Sequence, residues 1–165
     1  MACNIFEEAQ AEPMKGKIGI GLVTVNRVRH PDYPKTVCGV VWAPQQFDWT
    51  VKPRAIYARP GVRKQWEDST LAATMILLLR HQPDYAELDF TKGSVNFHAR
   101  GDVDLWPGFT MTTKIGNHRF FIDRRGRREP LPMTIPPVTT LDILANTNEC
   151  VPTQYEPERV RFEER

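Results

Sequence analysis

This sequence predicts an α+β fold, mostly helical with a small β-sheet and an extended proline-rich C-terminal arm. Three observations carry that expectation. Apolar residues recur at helical period over residues 14–29 and 62–80. Two short segments, 94–99 and 119–122, are strand-like, with Phe97, Phe120 and Phe121 supplying bulk. Pro130, Pro132, Pro136 and Pro137 fall within eight residues, which favours extended backbone with no core of its own. A length of 165 residues suits one domain with its own core. The change in composition then divides the chain into a domain over residues 1–128 and an extension over residues 129–165.

Residues 2–11 read as a short helix, broken by Pro13. That proline suits the first turn of a second helix over residues 14–29. Ile18, Leu22, Val25 and Val28 or Arg29 form its inward stripe, and His30-Pro31 ends it. Gly16, Gly19 and Gly21 lower its intrinsic propensity and are expected to permit close packing. Residues 35–42 form either a brief helix or a strand, stopped by Pro44. A polar and aromatic loop follows at residues 45–49. The next long helix covers residues 62–80, with Trp66, Ala73, Ile76, Leu77 and Arg80 on one face. Its stretch from Met75 to Leu79 is apolar nearly all round, which predicts burial. Beyond the strands, residues 139–147 suit one more short helix, and residues 156–165 are charged and solvent-facing or partner-bound.

Composition excludes several classes. With 41% hydrophobic and 25% charged residues the chain is ordinary for a globular protein. A net charge of +2 does not point to nucleic acid, though it suits approach to an anionic polymer such as a cell wall. The run of Arg119, Arg124, Arg125, Arg127 and Arg128 reads as a solvated turn. Three cysteines, Cys3, Cys38 and Cys150, without a C-x-x-C spacing argue against a disulfide scaffold or structural zinc. A Cys3–Cys38 bridge has no support from spacing. No apolar run is long enough to span a membrane, since Leu71 to Leu79 is short and interrupted by Thr74. Glu7 and Glu8 break the basic-then-apolar layout of a signal peptide, so synthesis in the cytoplasm with release by another system is expected.

Glu8 is the residue with the most chemical promise. Glu12 follows four residues later, so on a continuous helix both lie on one face and repel by about 0.2–0.5 kcal/mol. Glu7, Glu8 and Glu12 then form either a solvated helix end or a site that uses a shifted carboxyl pKa. A carboxylic acid kept protonated near neutral pH is what cleavage of a glycosidic bond requires of its general acid.

The ordered blocks of the chain resemble the SleB-type cell-wall hydrolase family, which includes spore-cortex-lytic enzymes and phage lysins. The opening Cys3-Asn4-Ile5-Phe6-Glu7-Glu8-Ala9, followed by Glu12-Pro13, is similar to the family's first helix and its Glu-Ala-x-x-Glu-Pro signature. Gln10-Ala11 stand where the family has Arg-Gly. Val25-Asn26-Arg27-Val28 resembles its Leu-Asn-Arg-Val element. Thr36-Val37-Cys38-Gly39-Val40-Val41-Trp42 and Gln46-Phe47-Asp48-Trp49 are similar to its next block. Asn96-Phe97-His98-Ala99 and Ile115-Gly116-Asn117-His118-Arg119-Phe120-Phe121 resemble its last two. Residues 50–65 and 100–110 do not align, and the chain after residue 122 falls outside the resemblance.

The resemblance implies a lysozyme-like domain acting on peptidoglycan glycan strands without a cofactor. It implies Glu8 as the catalytic acid, with Glu12, Gln46, His98, Asn117 and His118 lining or supporting the cleft. The implied chemistry is cleavage between N-acetylmuramic acid and N-acetylglucosamine. If water attacks, a second carboxylate is usually needed; if the muramic 6-hydroxyl attacks, Glu8 alone serves as acid and then base, as in a lytic transglycosylase. The resemblance favours the second course. Glu12 is expected to tune Glu8 or to bind backbone at the helix start. Gln46 suits an N-acetyl group. Phe47, Trp49 and Trp106 present flat faces either to sugar rings or to the core. For His118 a hydrogen bond bracing the Gly116-Asn117 turn is expected.

Two rivals stand beside this reading. A zinc-dependent N-acetylmuramoyl-L-alanine amidase would draw ligands from His81, His98, His118 and Cys38, but no His-Glu-x-x-His or comparable spacing exists. A virion or tail component would dock a partner protein through residues 129–165. A bacteriophage lysin, made in the host cytoplasm and acting at the wall, fits the expected route of release.

Overall fold

The structure is a computed structural model, and it describes residues 1–51, 62–99 and 107–124. Trp106, the arginines from Arg125 onward, the helix expected at residues 139–147 and the arm at residues 129–165 lie outside the described residues. Helices come first and the sheet last: α1 (Ala2–Ala9), α2 (Met14–Arg29), α3 (Val37–Trp42), a 3₁₀ turn (Asp48–Thr50), α4 (Arg63–Leu79), α5 (Tyr85–Leu88), β1 (Asn96–Ala99), β2 (Phe109–Ile115) and β3 (His118–Asp123). This is the α+β arrangement expected, with a small antiparallel sheet ordered β1-β3-β2.

Helix α2 is the central element. It packs against α1, α3 and α4 and touches β1 and β2. Leu22 and Val25 of the expected stripe are buried, yet every residue from Gly19 to Arg27 is buried too. A helix enclosed on all sides needs places where neighbours approach its backbone. Gly21 is such a place: a Cβ there would stand 2.2 Å from Ile76 Cδ1. Gly19 is another, at 2.7 Å from the Phe120 ring. The core then closes around Ile5, Ile20, Leu22, Val23, Val40, Ile76 and Phe120, all fully buried.

Two local expectations are corrected, and one open possibility is settled. Helix α1 stops at Ala9 rather than at residue 11, so Glu8 and Glu12 do not share a helix face. The physical reason is Pro13, which offers no N–H to Ala9 O, together with Lys17 of α2. Its buried ammonium donates to Ala9 O at 2.7 Å and Gln10 O at 2.9 Å, satisfying carbonyls that a continuing helix would use. Burial lowers the Lys17 pKa. In α4, Ser69, Ala72, Ala73, Ile76 and Leu77 face inward, but Leu71, Met75 and Leu78 are 53%, 46% and 50% exposed. The helix covers one side of α1 and α2 and buries one stripe only. Cys3 is a free thiol, so no Cys3–Cys38 bridge forms.

Residues 37–42 resolve as helix, capped by the Thr36 hydroxyl accepting from Gly39 N at 3.0 Å. The sheet contains a strand that the sequence pattern hides. Strand β2 pairs with β3 from Phe109↔Asp123 to Ile115↔His118, with an irregularity between Met111 and Thr113 that breaks its alternation. The two strands meet at the Gly116-Asn117 turn, where Gly116 adopts φ +57°.

Candidate active site

Glu8 lies on the last turn of α1, half-buried, and no described residue hydrogen-bonds its carboxyl. Burial raises its pKa most, with the Asp48 carboxylate second, so that it rises to about 7. Arg27 works in the opposite direction and Glu7 adds a further like charge. Glu8 is therefore a carboxyl that holds its proton near neutral pH while staying able to release it.

Arg27 is built into the wall behind it. Its Nε donates to Val95 O at 2.7 Å and its Nη2 to Asn96 Oδ1 at 3.0 Å, joining α2 to β1. The guanidinium sits over the rings of Phe47 and Tyr33, at 5.1 and 5.4 Å from their centroids. Burial lowers its pKa, opposed by the nearby Tyr33 and Glu8. Its neighbour Asn26 fastens the same helix to the chain before β1. Its Nδ2 donates to Asp89 Oδ2 at 2.8 Å and Ser94 O at 3.1 Å, and its Oδ1 accepts from the Tyr85 hydroxyl at 2.8 Å. The Asn-Arg pair of α2 thus fixes the sheet against the helix that backs Glu8.

Residues 46–50 pack against the start of α1. Gln46 is half-buried, and its amide makes no hydrogen bond with a described residue. Phe47, expected as a sugar-facing ring, is instead 3% exposed, because it fills the space between Arg27 and Phe97. Trp49 keeps part of its surface open. It donates Nε1 to Asn4 Oδ1 at 3.0 Å and meets Trp42 edge to face at 5.3 Å.

Glu12 and the hairpin form a separate cluster. Both Glu12 oxygens accept from Asn117 N at 3.2 Å, and Oε1 also accepts from Asn117 Nδ2 at 3.0 Å. Glu12 therefore does not tune Glu8 on a shared face. It braces the β2–β3 turn, the role expected of His118. His118 is 3% exposed, with Nδ1 3.6 Å from Glu12 Oε1, and its ring stands edge-on to Phe97 at 5.4 Å. Burial lowers its pKa despite Glu12. Gly116 makes the arrangement possible, since a Cβ there would lie 1.8 Å from Glu12 Oε2. His98 is half-buried on β1, opposite Arg119.

The structure thus ties the 46–50 segment to the helix of Glu8 through the Trp49–Asn4 bond. Glu12, Asn117 and His118 form the support beneath the hairpin. Asn4, Arg27 and Asp48 were given no roles from sequence, although each lies inside a block that carries the family resemblance. Among the described residues, no group of three His, Cys, Asp or Glu side chains is placed to hold a metal ion.

Comparison with known proteins bears on the family and the fold. A family model described as Cell Wall Hydrolase matches residues 11–121, a span that begins just after Glu8. The spore cortex-lytic enzyme of Bacillus subtilis (strain 168) is 35% identical over 61 residues, which is 37% of this chain and 20% of that protein. That of Halalkalibacterium halodurans is 35% identical over 60 residues, covering 36% of this chain and 18% of that protein. The chain thus aligns with only about a fifth of the length of these relatives. The crystal structure of the catalytic domain of the Bacillus cereus SleB protein superimposes with a TM-score of 0.54 at 24% identity, covering 73% of this chain and 84% of that one. That likeness establishes a shared fold.

Proposed function

From the premise that the chain belongs to the Cell Wall Hydrolase family, we propose that it cleaves peptidoglycan between N-acetylmuramic acid and N-acetylglucosamine. The observation that carries this is Glu8, a half-buried carboxyl whose pKa of about 7 suits a general acid. Glu8 donates its proton to the bridging glycosidic oxygen as the bond to muramic C1 breaks. In the lytic transglycosylase course, the muramic 6-hydroxyl oxygen bonds to C1 and its proton passes to the Glu8 carboxylate. The acid is restored and the product ends in a 1,6-anhydro ring. The engagement of Glu12 with the hairpin supports a course that needs one carboxylate. Gln46 offers its amide to an N-acetyl group, and Trp49 offers its exposed face to a sugar ring.

The test is digestion of purified peptidoglycan by wild type and Glu8→Gln, with fragments read by mass spectrometry. Anhydro-muramic ends made by the wild type and absent with the variant are expected. Hydrated reducing ends would give a muramidase or glucosaminidase instead. Free stem peptides, or full activity in the variant, would defeat the glycosidase reading.

We further place the enzyme among bacteriophage lysins, with residues 129–165 as an arm that docks a virion protein. The support is compositional: this proline-rich, charged stretch lies beyond the family match. Removing residues 129–165 should preserve peptidoglycan cleavage and abolish co-sedimentation with virions. Unchanged co-sedimentation would refute the docking role.

A further inference from the structure

We infer that Asp48 is a positioning residue that keeps the proton on Glu8, and that the fold anchors the chain on both sides of it for this purpose. The inference rests on the reading of Glu8 as the proton donor. Before Asp48, Phe47 is buried, stacked on Phe97 at 6.4 Å between ring centroids and covered by the Arg27 guanidinium. After it, Trp49 is tied to Asn4, whose Nδ2 donates in turn to the Thr24 hydroxyl of α2 at 3.3 Å. The Thr50 hydroxyl closes the turn by donating to Phe47 O at 2.7 Å. Asp48 is exposed between these anchors.

The anchoring also fixes where the turn runs. Asn4 and Glu8 are four residues apart on α1, so they share one face of that helix. A turn pinned to Asn4 runs beside Glu8. Among the described residues, none hydrogen-bonds or pairs with the Asp48 carboxylate. Among the described residues, the other charged groups acting on Glu8 are Arg27 on α2 and Glu7 on α1 itself. Arg27 favours the ionised form, but two of its donors are committed to β1 and the chain before it. Glu7 acts in the same direction as Asp48 and more weakly.

There is a chemical reason for such a device. Burial alone would hold the proton by excluding water, but a glycan strand needs an open cleft. An exposed, fixed carboxylate raises the cost of ionising Glu8 without closing the site. During proton transfer Asp48 forms no bond and stays ionised. Only the Glu8 proton moves.

The experiment is a carboxyl-carbon NMR titration of Glu8 in the full chain, for wild type, Asp48→Asn and Asp48→Glu. It is paired with the pH dependence of kcat/KM on purified peptidoglycan. In Asp48→Asn the Glu8 midpoint should fall by about half a pH unit or more. The alkaline limb of the rate profile should fall with it. Asp48→Glu, which keeps the charge, should stay with the wild type. An Asp48→Asn protein that titrates with the wild type, or an Asp48→Glu protein that follows Asp48→Asn, overturns the inference. The titration needs no substrate, so it stands or falls separately from the glycosidase reading, which full cleavage by Glu8→Gln would sink.

Discussion

Replacing Glu8 by glutamine should stabilise the protein, and increasingly so as pH rises. The ordinary pKa of this carboxyl is 4.5 and the folded value is about 7. A raised folded pKa means that the folded state resists ionisation more than the unfolded state does. Below pH ~4.5 both states are protonated and the site costs nothing. As pH rises, the unfolded chain releases the proton first and gains stability relative to the folded one. Integrating between the two values gives a cost to the wild type of about 1 kcal/mol at pH ~5, about 2 at pH ~6 and about 3 at pH ~7 and above. Glutamine has no proton to release, so Glu8→Gln escapes this cost. Any fixed effect of exchanging acid for amide cancels when the stability difference is compared across pH. Urea unfolding of both proteins from pH ~4.5 to pH ~8 measures it, and a change of about 3 kcal/mol corresponds to roughly 6–12 °C in Tm for a chain of this size. A stability difference that is flat across this range, or that shrinks as pH rises, would refute the assignment of a raised pKa to Glu8.

Further outcomes follow from the packing and the support cluster. Gly116→Ala should cost more than about 2 kcal/mol in denaturant unfolding, because it meets both a left-handed backbone and the Glu12 carboxylate. Lys17→Met should lose about 1–2 kcal/mol, since Gln10 O loses its donor and Ala9 O keeps only the Glu12 N–H. Ile76→Ala should cost about 2–5 kcal/mol and its neighbour Met75→Ala less than about 0.5, a contrast that thermal unfolding would read directly. Peptidoglycan cleavage should persist in excess EDTA; loss of activity that zinc restores would revive the amidase alternative.

The long helices were legible because their signals are local. Residues 14–29 are bounded by Pro13 and His30-Pro31, and the helix occupies Met14–Arg29. Residues 62–80 also carry enough apolar period to be read, and the helix occupies Arg63–Leu79. What sequence could not supply was which side of α4 has a neighbour, so Met75 and Leu78 were expected to be buried. Strand β2 stayed hidden because its irregularity interrupts the period of two, and α5 because a single turn, Tyr85–Leu88, has no period to detect.

Within the candidate site, Glu8 was singled out from its place in a family-like block. The position of Glu12 was not, because the end of α1 is set partly by a lysine from the next helix rather than by the local sequence alone. Asp48 gains its meaning only through the bond between Trp49 and Asn4, 45 residues apart. No reading of spacing along the chain reveals a relation of that kind.

The lysine that completes the end of α1 has a bearing on the order in which the molecule assembles. A helix of eight residues is too short to persist alone in water, and α1 has no side-chain cap at its start. Its far end, held locally by Glu12 N on Ala9 O, is completed when α2 has formed and delivered Lys17 to Ala9 O and Gln10 O. Glu8 therefore comes early in the sequence but late into position. Its carboxyl acquires its desolvation and its charged neighbours only when α2 and the 46–50 edge have docked. Partly folded chains would then carry an ordinary, ionised glutamate, and the proton-holding carboxyl on which the proposed cleavage depends would arise with the last cooperative step of folding.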